Sequence, residues 1–113
     1  MTSALDVVTE FGRRWAAHDL PGTLALIADD CVFDSTGPAP DGERCEGRAA
    51  ISAAWNPIFD NTASVFEVEE TIVADDRVVQ LWTYSWGDGH VRGIDVFRVA
   101  GGLVVEKFSY VKG

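Results

Sequence analysis

Cations, histidines and cysteines are all scarce in this chain. Nine lysines and arginines stand against 18 aspartates and glutamates, a formal net charge of −9. Nucleic acids and anionic membrane surfaces both select basic patches, so neither is an expected partner. Highly anionic substrates are disfavoured for the same reason. Two cysteines, Cys31 and Cys45, are too few for a disulfide framework. Both flank one expected short hairpin, which leaves a bridge geometrically open, but free thiols are the expectation. The two histidines, His18 and His90, have no spacing that would bring them together, so neither a metal site nor any other cofactor is expected. No apolar run approaches the length of a membrane span, and the N-terminus lacks a signal-peptide pattern. A cytoplasmic location is the default expectation.

What is present is ordinary for a globular protein: 113 residues, 47% hydrophobic and 24% charged. That is enough for one domain, 1–113, with one core. Ser3-Ala-Leu-Asp6 forms a capping box, with Asp in place of the usual Glu, and opens a helix over about 4–18. Leu5, Val8, Phe11 and Trp15 recur on it at helical spacing. Asp19-Leu-Pro-Gly22 breaks that helix and starts a second, which is expected to run to Ala28-Asp-Asp30 with Leu24, Ile27 and Ala28 inward. Cys31–Asp34 reads as a short strand, 35–42 as a Pro/Gly loop and Glu43–Glu46 as a returning strand. A third helix spans 47–55 with Ile51 and Trp55 on one face. It is disturbed at Asn56-Pro57 and resumes through Phe59.

Four longer strands follow, at about 65–74, 78–86, 91–99 and 103–111. In the second of these, Gln80, Trp82, Tyr84 and Trp86 share one face, and Val79, Leu81, Thr83 and Ser85 the other. Helices followed by an antiparallel meander make an α+β domain, with the helices on one face of the sheet. A strongly curved sheet covered this way leaves an apolar cavity between the layers, the default place for a ligand.

One residue does not fit its pattern. Asp95 lies on the strand face shared by Val91, Gly93, Phe97 and Val99. A carboxylate buried there must be paired, hydrogen-bonded or protonated. Its partner depends on the turn. A three-residue loop, Ala100-Gly101-Gly102, pairs Val99 with Leu103 and sets Asp95 opposite Lys107. A two-residue loop, Gly101-Gly102, sets it opposite Phe108. The three-residue loop is the expected one, with an Asp95–Lys107 cross-strand ion pair as the structural alternative to a functional role.

Three segments resemble the nuclear transport factor 2-like superfamily, which includes the ketosteroid isomerases and the SnoaL-like polyketide cyclases. Leu26-Ile-Ala-Asp-Asp30 is similar to the family's passage from helix two into strand one. Glu46-Gly-Arg-Ala-Ala-Ile51 is similar to its start of helix three. Ile94-Asp-Val-Phe-Arg98, with Gly102 and Val104-Val-Glu106, is similar to its penultimate hairpin. The resemblance implies a cone-shaped, cystatin-like roll: three N-terminal helices on a strongly curved antiparallel sheet. It also implies a homodimer through the outer sheet face.

The resemblance further implies that Asp95 faces the pocket. In ketosteroid isomerases the matching residue is a protonated acid that donates to the oxyanion; in SnoaL-like cyclases a pocket aspartate at a similar point is the base. The isomerase's oxyanion tyrosine falls on Phe11, which has no hydroxyl to donate. Its general base falls on Ser35, or on Asp34 with a one-residue shift. Authentic ketosteroid isomerase activity is therefore not expected. Lys107 occupies a position that is often histidine in the cyclases. It would serve as a proton shuttle or as a charge for an enolate. The limonene epoxide hydrolases resemble the chain less, because Arg92 points away from Asp95 on a regular strand.

Asp95, Asp34 and Lys107 are thus the candidate catalytic groups. The expected aromatic lining comes from the helices as Phe11, Trp15, Trp55 and Phe59, and from the strands as Phe33, Trp82, Tyr84 and Phe97. Asp34 at a loop edge reads equally as a turn cap, His90 as a rim residue and His18 as a helix-end charge. Two functions follow. One is a cofactor-independent isomerase or cyclase that moves a proton next to the carbonyl of an apolar small molecule. The other is a non-catalytic ligand-binding or dimerisation domain.

Overall fold

A computed structural model of the chain describes residues 2–112. The helices are α1 (Ala4–Ala16), α2 (Leu20–Leu24) and α3 (Arg48–Asp60). The strands are β1 (Ile27–Asp34), β2 (Arg44–Glu46), β3 (Ser64–Ala74), β4 (Arg77–Trp86), β5 (Gly89–Ala100) and β6 (Leu103–Val111). The strands form one sheet in the order β2-β1-β6-β5-β4-β3. All neighbours are antiparallel except β1 and β6, which run parallel. The helices cover the concave face of this curved, unclosed sheet, so the fold is α+β. No helix among the described residues is long and apolar enough to cross a membrane.

Local chemistry sets the helix ends. The capping box at α1 is formed in both directions: Asp6 N donates to Ser3 Oγ and Ser3 N donates to Asp6 Oδ2. The chain leaves α1 through His18, whose φ of 57° is left-handed. Asp19 then caps α2 by accepting from Gly22 N at 3.0 Å. The second helix is much shorter than its periodicity suggested, and the correction has a tertiary cause. Ile27 pairs with Val104, and Val104 N donates to Leu26 O at 2.8 Å. Those backbone groups join the sheet instead of continuing a helix, so β1 begins four residues early. α3 runs unbroken past Pro57, which lies on its exposed side.

The core sits between helices and sheet. Val7, Val8 and Phe11 of α1 and Ile51, Trp55 and Phe59 of α3 pack on Ile27, Val78, Phe97 and Val104 of the strands. Of the eight aromatics expected to line a pocket, Phe11, Trp55, Phe59 and Phe97 belong to this core and to none of the cleft wall.

The β5–β6 register differs from both expected alternatives. The turn is the two-residue Gly101-Gly102, both at positive φ (61° and 78°), with Ala100 opposite Leu103. An uninterrupted ladder would then set Asp95 against Phe108. That ladder holds at Val99 and Val104, but Arg98 then pairs with Glu106. Val105 is therefore an extra residue on β6, a bulge. From there on Phe97 faces Lys107 and Asp95 faces Ser109. The bulge brings Asp95, Phe97, Lys107 and Ser109 onto the same concave face.

Candidate functional site

A cleft of about 290 Å³ opens between the helices and the concave face of the sheet. Its walls are largely aromatic. Trp15 and Ile58 come from the helices; Phe66, Trp82, Tyr84 and Trp86 come from β3 and β4. The tryptophans and Tyr84 of β4 point this way because period two places Gln80, Trp82, Tyr84 and Trp86 on one face. That face is the concave one. Gly93 lies opposite Trp82 on β5. A Cβ at Gly93 would meet Trp82 Cζ2 at 2.7 Å and would collide with the Tyr110 carbonyl oxygen. The missing side chain is what lets the indole lie across the strand and the neighbouring backbone come close.

Three polar side chains form the floor. Asp95 is 3% exposed, Lys107 5% and Ser109 8%. Ser109 Oγ donates to Asp95 Oδ1 at 2.6 Å, and Lys107 Nζ donates to Ser109 Oγ at 2.9 Å. Lys107 Nζ also stands 3.4 Å from Asp95 Oδ2. The Asp95–Lys107 pair anticipated from the sequence therefore exists, as a diagonal contact bridged by Ser109 and not as directly opposed residues. The ammonium is ringed by aromatic faces, with centroids at 4.8 Å for Trp15, 4.9 Å for Phe33 and 5.9 Å for both Trp55 and Phe97. Cation–π attraction replaces part of the hydration that the charge has lost. The same burial pushes the Cys31 thiol up to about 11, against the opposing pull of the Lys107 charge.

A family model described as a SnoaL-like domain matches residues 8–107. The chain belongs to the SnoaL-like domain family. Among solved structures, a nuclear transport factor 2-like protein of unknown function from Mesorhizobium loti is 40% identical, with a TM-score of 0.88 over 97% of this chain and 91% of that one. A computationally designed 17-OHP binder is 29% identical, with a TM-score of 0.82 over 99% of this chain and 93% of that one. A candidate ketosteroid isomerase from Kribbella flavida shares the fold at 17% identity, with a TM-score of 0.81 over 95% of this chain and 76% of that one. No curated protein matches the sequence.

Within this SnoaL-like domain the predicted site residues separate into three groups. Asp95 and Lys107 meet in the cleft, and Trp15, Phe33, Trp82 and Tyr84 line it. Phe11, Trp55, Phe59 and Phe97 lie beneath as core; Trp55 and Phe97 reach the site only through their ring faces at Lys107. Asp34 does not join. It alternates out of phase with Phe33 and lies on the convex face, where Arg44 holds it by two hydrogen bonds at 2.9 and 3.2 Å. His90 is exposed on that same face, and Arg92 is tied to Glu69 there. His18 Nε2 lies 3.3 Å from Ser64 Oγ, away from the floor.

Ser109 was missed, although a signal for it was present. It lies two residues from Lys107 and so must share its strand face. Among the described residues no group of three or more His, Cys, Asp or Glu is placed to hold a metal ion.

The floor can do two things chemically. Asp95 offers a carboxylate oxygen, Oδ2, that makes a long contact to Lys107, while Ser109 fixes Oδ1. Lys107 brings a positive charge into a space from which water is largely excluded, where charges act more strongly than in solution.

Proposed function

We propose that this SnoaL-like domain takes an apolar small molecule bearing a carbonyl group into the cleft and transfers a proton at the carbon beside that carbonyl, as a cofactor-independent isomerase or cyclase. The observation that carries this reading is the Lys107–Ser109–Asp95 chain, buried at the floor of an otherwise aromatic cleft. Asp95 accepts the proton through Oδ2, Ser109 orients it, and Lys107 faces the oxygen on which charge develops. The cleft volume of about 290 Å³ lies just below the usual range for ligand sites, roughly 300–1,000 Å³. Ketosteroid isomerisation itself is not the reading we favour. Phe11 is a buried phenyl ring with no hydroxyl, and Asp34 lies across the sheet.

A non-catalytic binding domain is the second reading, and one observation favours it. Both Asp95 oxygens already face donors within the protein, so the pair is complete without substrate. The designed relative on this fold is a 17-OHP binder. Loss of α-protons from an apolar ketone in deuterated water, followed by NMR, separates the two readings. In the catalytic case the native protein speeds exchange, and Asp95→Asn slows it by roughly a hundredfold or more while ligand still quenches tryptophan fluorescence. Quenching without exchange in the native protein favours the binder.

We also propose a homodimer through the convex sheet face. Val79, Leu81, Ile94 and Val96 are only partly buried there, and apolar residues of this kind form the centre of many interfaces. A monomer's mass in sedimentation at micromolar concentration would sink the idea.

A further inference from the structure

We propose that Lys107 is an imine-forming amine, whose Nζ condenses with the carbonyl carbon of an apolar aldehyde or ketone held in the cleft. The inference rests on the reading of the cleft as a carbonyl-binding site and gives that site a covalent mode. Lysine is rarely buried, and a desolvated lysine amine is the usual Schiff-base nucleophile. Lys107 is 5% exposed, lines the cleft and has four aromatic rings within 6 Å of its nitrogen. The chain's other lysine, Lys112, is exposed and has no such surroundings.

A nucleophilic amine must first lose a proton, and the floor supplies the route. Nζ donates to Ser109 Oγ, and Ser109 Oγ donates to Asp95 Oδ1. Moving one proton along each hydrogen bond converts ammonium and carboxylate into amine and carboxylic acid. The net charge is unchanged, and the proton stays within the floor. Nζ then attacks the carbonyl carbon. The N–C bond forms, the carbonyl π pair moves to oxygen, and Asp95 returns its proton to that oxygen. The Asp95 carboxylate then takes one proton from the carbinolamine nitrogen and passes it to the hydroxyl oxygen, and loss of the C–O bond releases water and leaves an iminium beside the Asp95 carboxylate. Of the three ammonium hydrogens, one remains on nitrogen and two leave in the water, so no oxidant or reductant is needed. The iminium acidifies the adjacent carbon, whose proton Asp95 is placed to take.

The test uses 2-naphthaldehyde as probe with sodium cyanoborohydride, which reduces an imine to a stable amine. Intact mass and peptide mapping locate the adduct, and tryptophan fluorescence reports binding separately. The expected result is one adduct on Lys107, suppressed by excess 2-methylnaphthalene, which has the same apolar body and no carbonyl. Ser109→Ala should slow trapping on the order of a hundredfold without abolishing quenching, because it breaks the proton route. Lys107→Arg keeps the charge and should bind the probe without trapping it. Quenching with no adduct on Lys107, or with adducts only on Lys112 or the N-terminal amine, overturns the proposal and leaves the binding site standing. Absence of both quenching and the Lys107 adduct overturns the proposal together with the carbonyl-site reading.

Discussion

Asp95 faces Ser109 across the β5–β6 ladder, and Lys107 reaches both from the adjoining position on β6. This relationship depends on the single extra residue at Val105. Without it the carboxylate would stand opposite Phe108 on a shared face, and Lys107 and Ser109 would turn to the other side of the sheet.

Removing the Ser109 hydroxyl leaves Asp95 Oδ1 buried without its donor. Ser109→Ala is expected to cost about 1–3 kcal/mol, the penalty of a buried group deprived of a hydrogen bond. Urea unfolding with an unchanged m-value would read it directly. A loss near zero would mean that the carboxylate finds another donor.

The buried ion pair should behave as a unit. Asp95→Leu or Lys107→Met alone strands a charge and is expected to cost about 3–5 kcal/mol. The double substitution removes both charges and should cost less than either single one. A double-mutant cycle in guanidinium chloride checks this, and simple additivity would show that the two groups do not interact.

Gly93→Ala adds a methyl group where Trp82 Cζ2 would be 2.7 Å away and the Tyr110 carbonyl oxygen closer still. Backbone cannot yield as a flexible side chain can. A loss of about 1–3 kcal/mol is expected, in line with overpacking elsewhere, together with a shifted tryptophan emission. An unchanged melting temperature would contradict the tight approach of β5 and β6.

Two surface carboxylates should give the protein an acid-sensitive component. Hydrogen bonds from Arg92 and Thr83 hold Glu69 down at about 2, and those from Arg13 and Arg14 hold Glu10 at about 2, against an ordinary value of 4.5. A depressed folded value stabilises the native state fully above the unfolded value. The contribution is therefore present above about pH 4.5 and fades as pH falls towards 2. Glu69→Gln should flatten this part of the pH–stability curve at low salt, and added salt should shrink the difference because both groups are solvated. Cys31 acts at the other end. With its folded value near 11 and an ordinary value of 9.0, the unfolded thiol ionises first, so stability should fall as pH rises between them. Cys31→Ser tests that slope by circular dichroism melts.

Much of this was legible in the chain. The capping box at Ser3, the Pro21 helix start, the alternation through Trp82 and the misfit of Asp95 each follow from short-range rules of geometry and solvation. Even the exclusion of Asp34 was encoded, since alternation from Cys31 through Phe33 puts the next residue outward. Asp34 was kept as a candidate because the isomerase's general base falls on Ser35 or, one residue away, on it. The helical spacing of Leu24, Ile27 and Ala28 hid a different feature, the early start of β1, which reads as helix until β6 is present to pair with the backbone.

Sequence by itself determined the α+β class, the family, the aromatic wall and the presence of a carboxylate on an apolar strand face. Hydrophobic period and local capping are properties of neighbouring residues, so they survive without the fold. Tertiary structure decided the Val105 bulge, the Ser109 bridge and the division of the aromatics between core and cleft. A bulge costs one residue and leaves the alternation on either side intact, so no local pattern reports it. Which face of a strand meets helices is likewise settled only when both layers are in place, because burial belongs to the assembled surface and not to the strand.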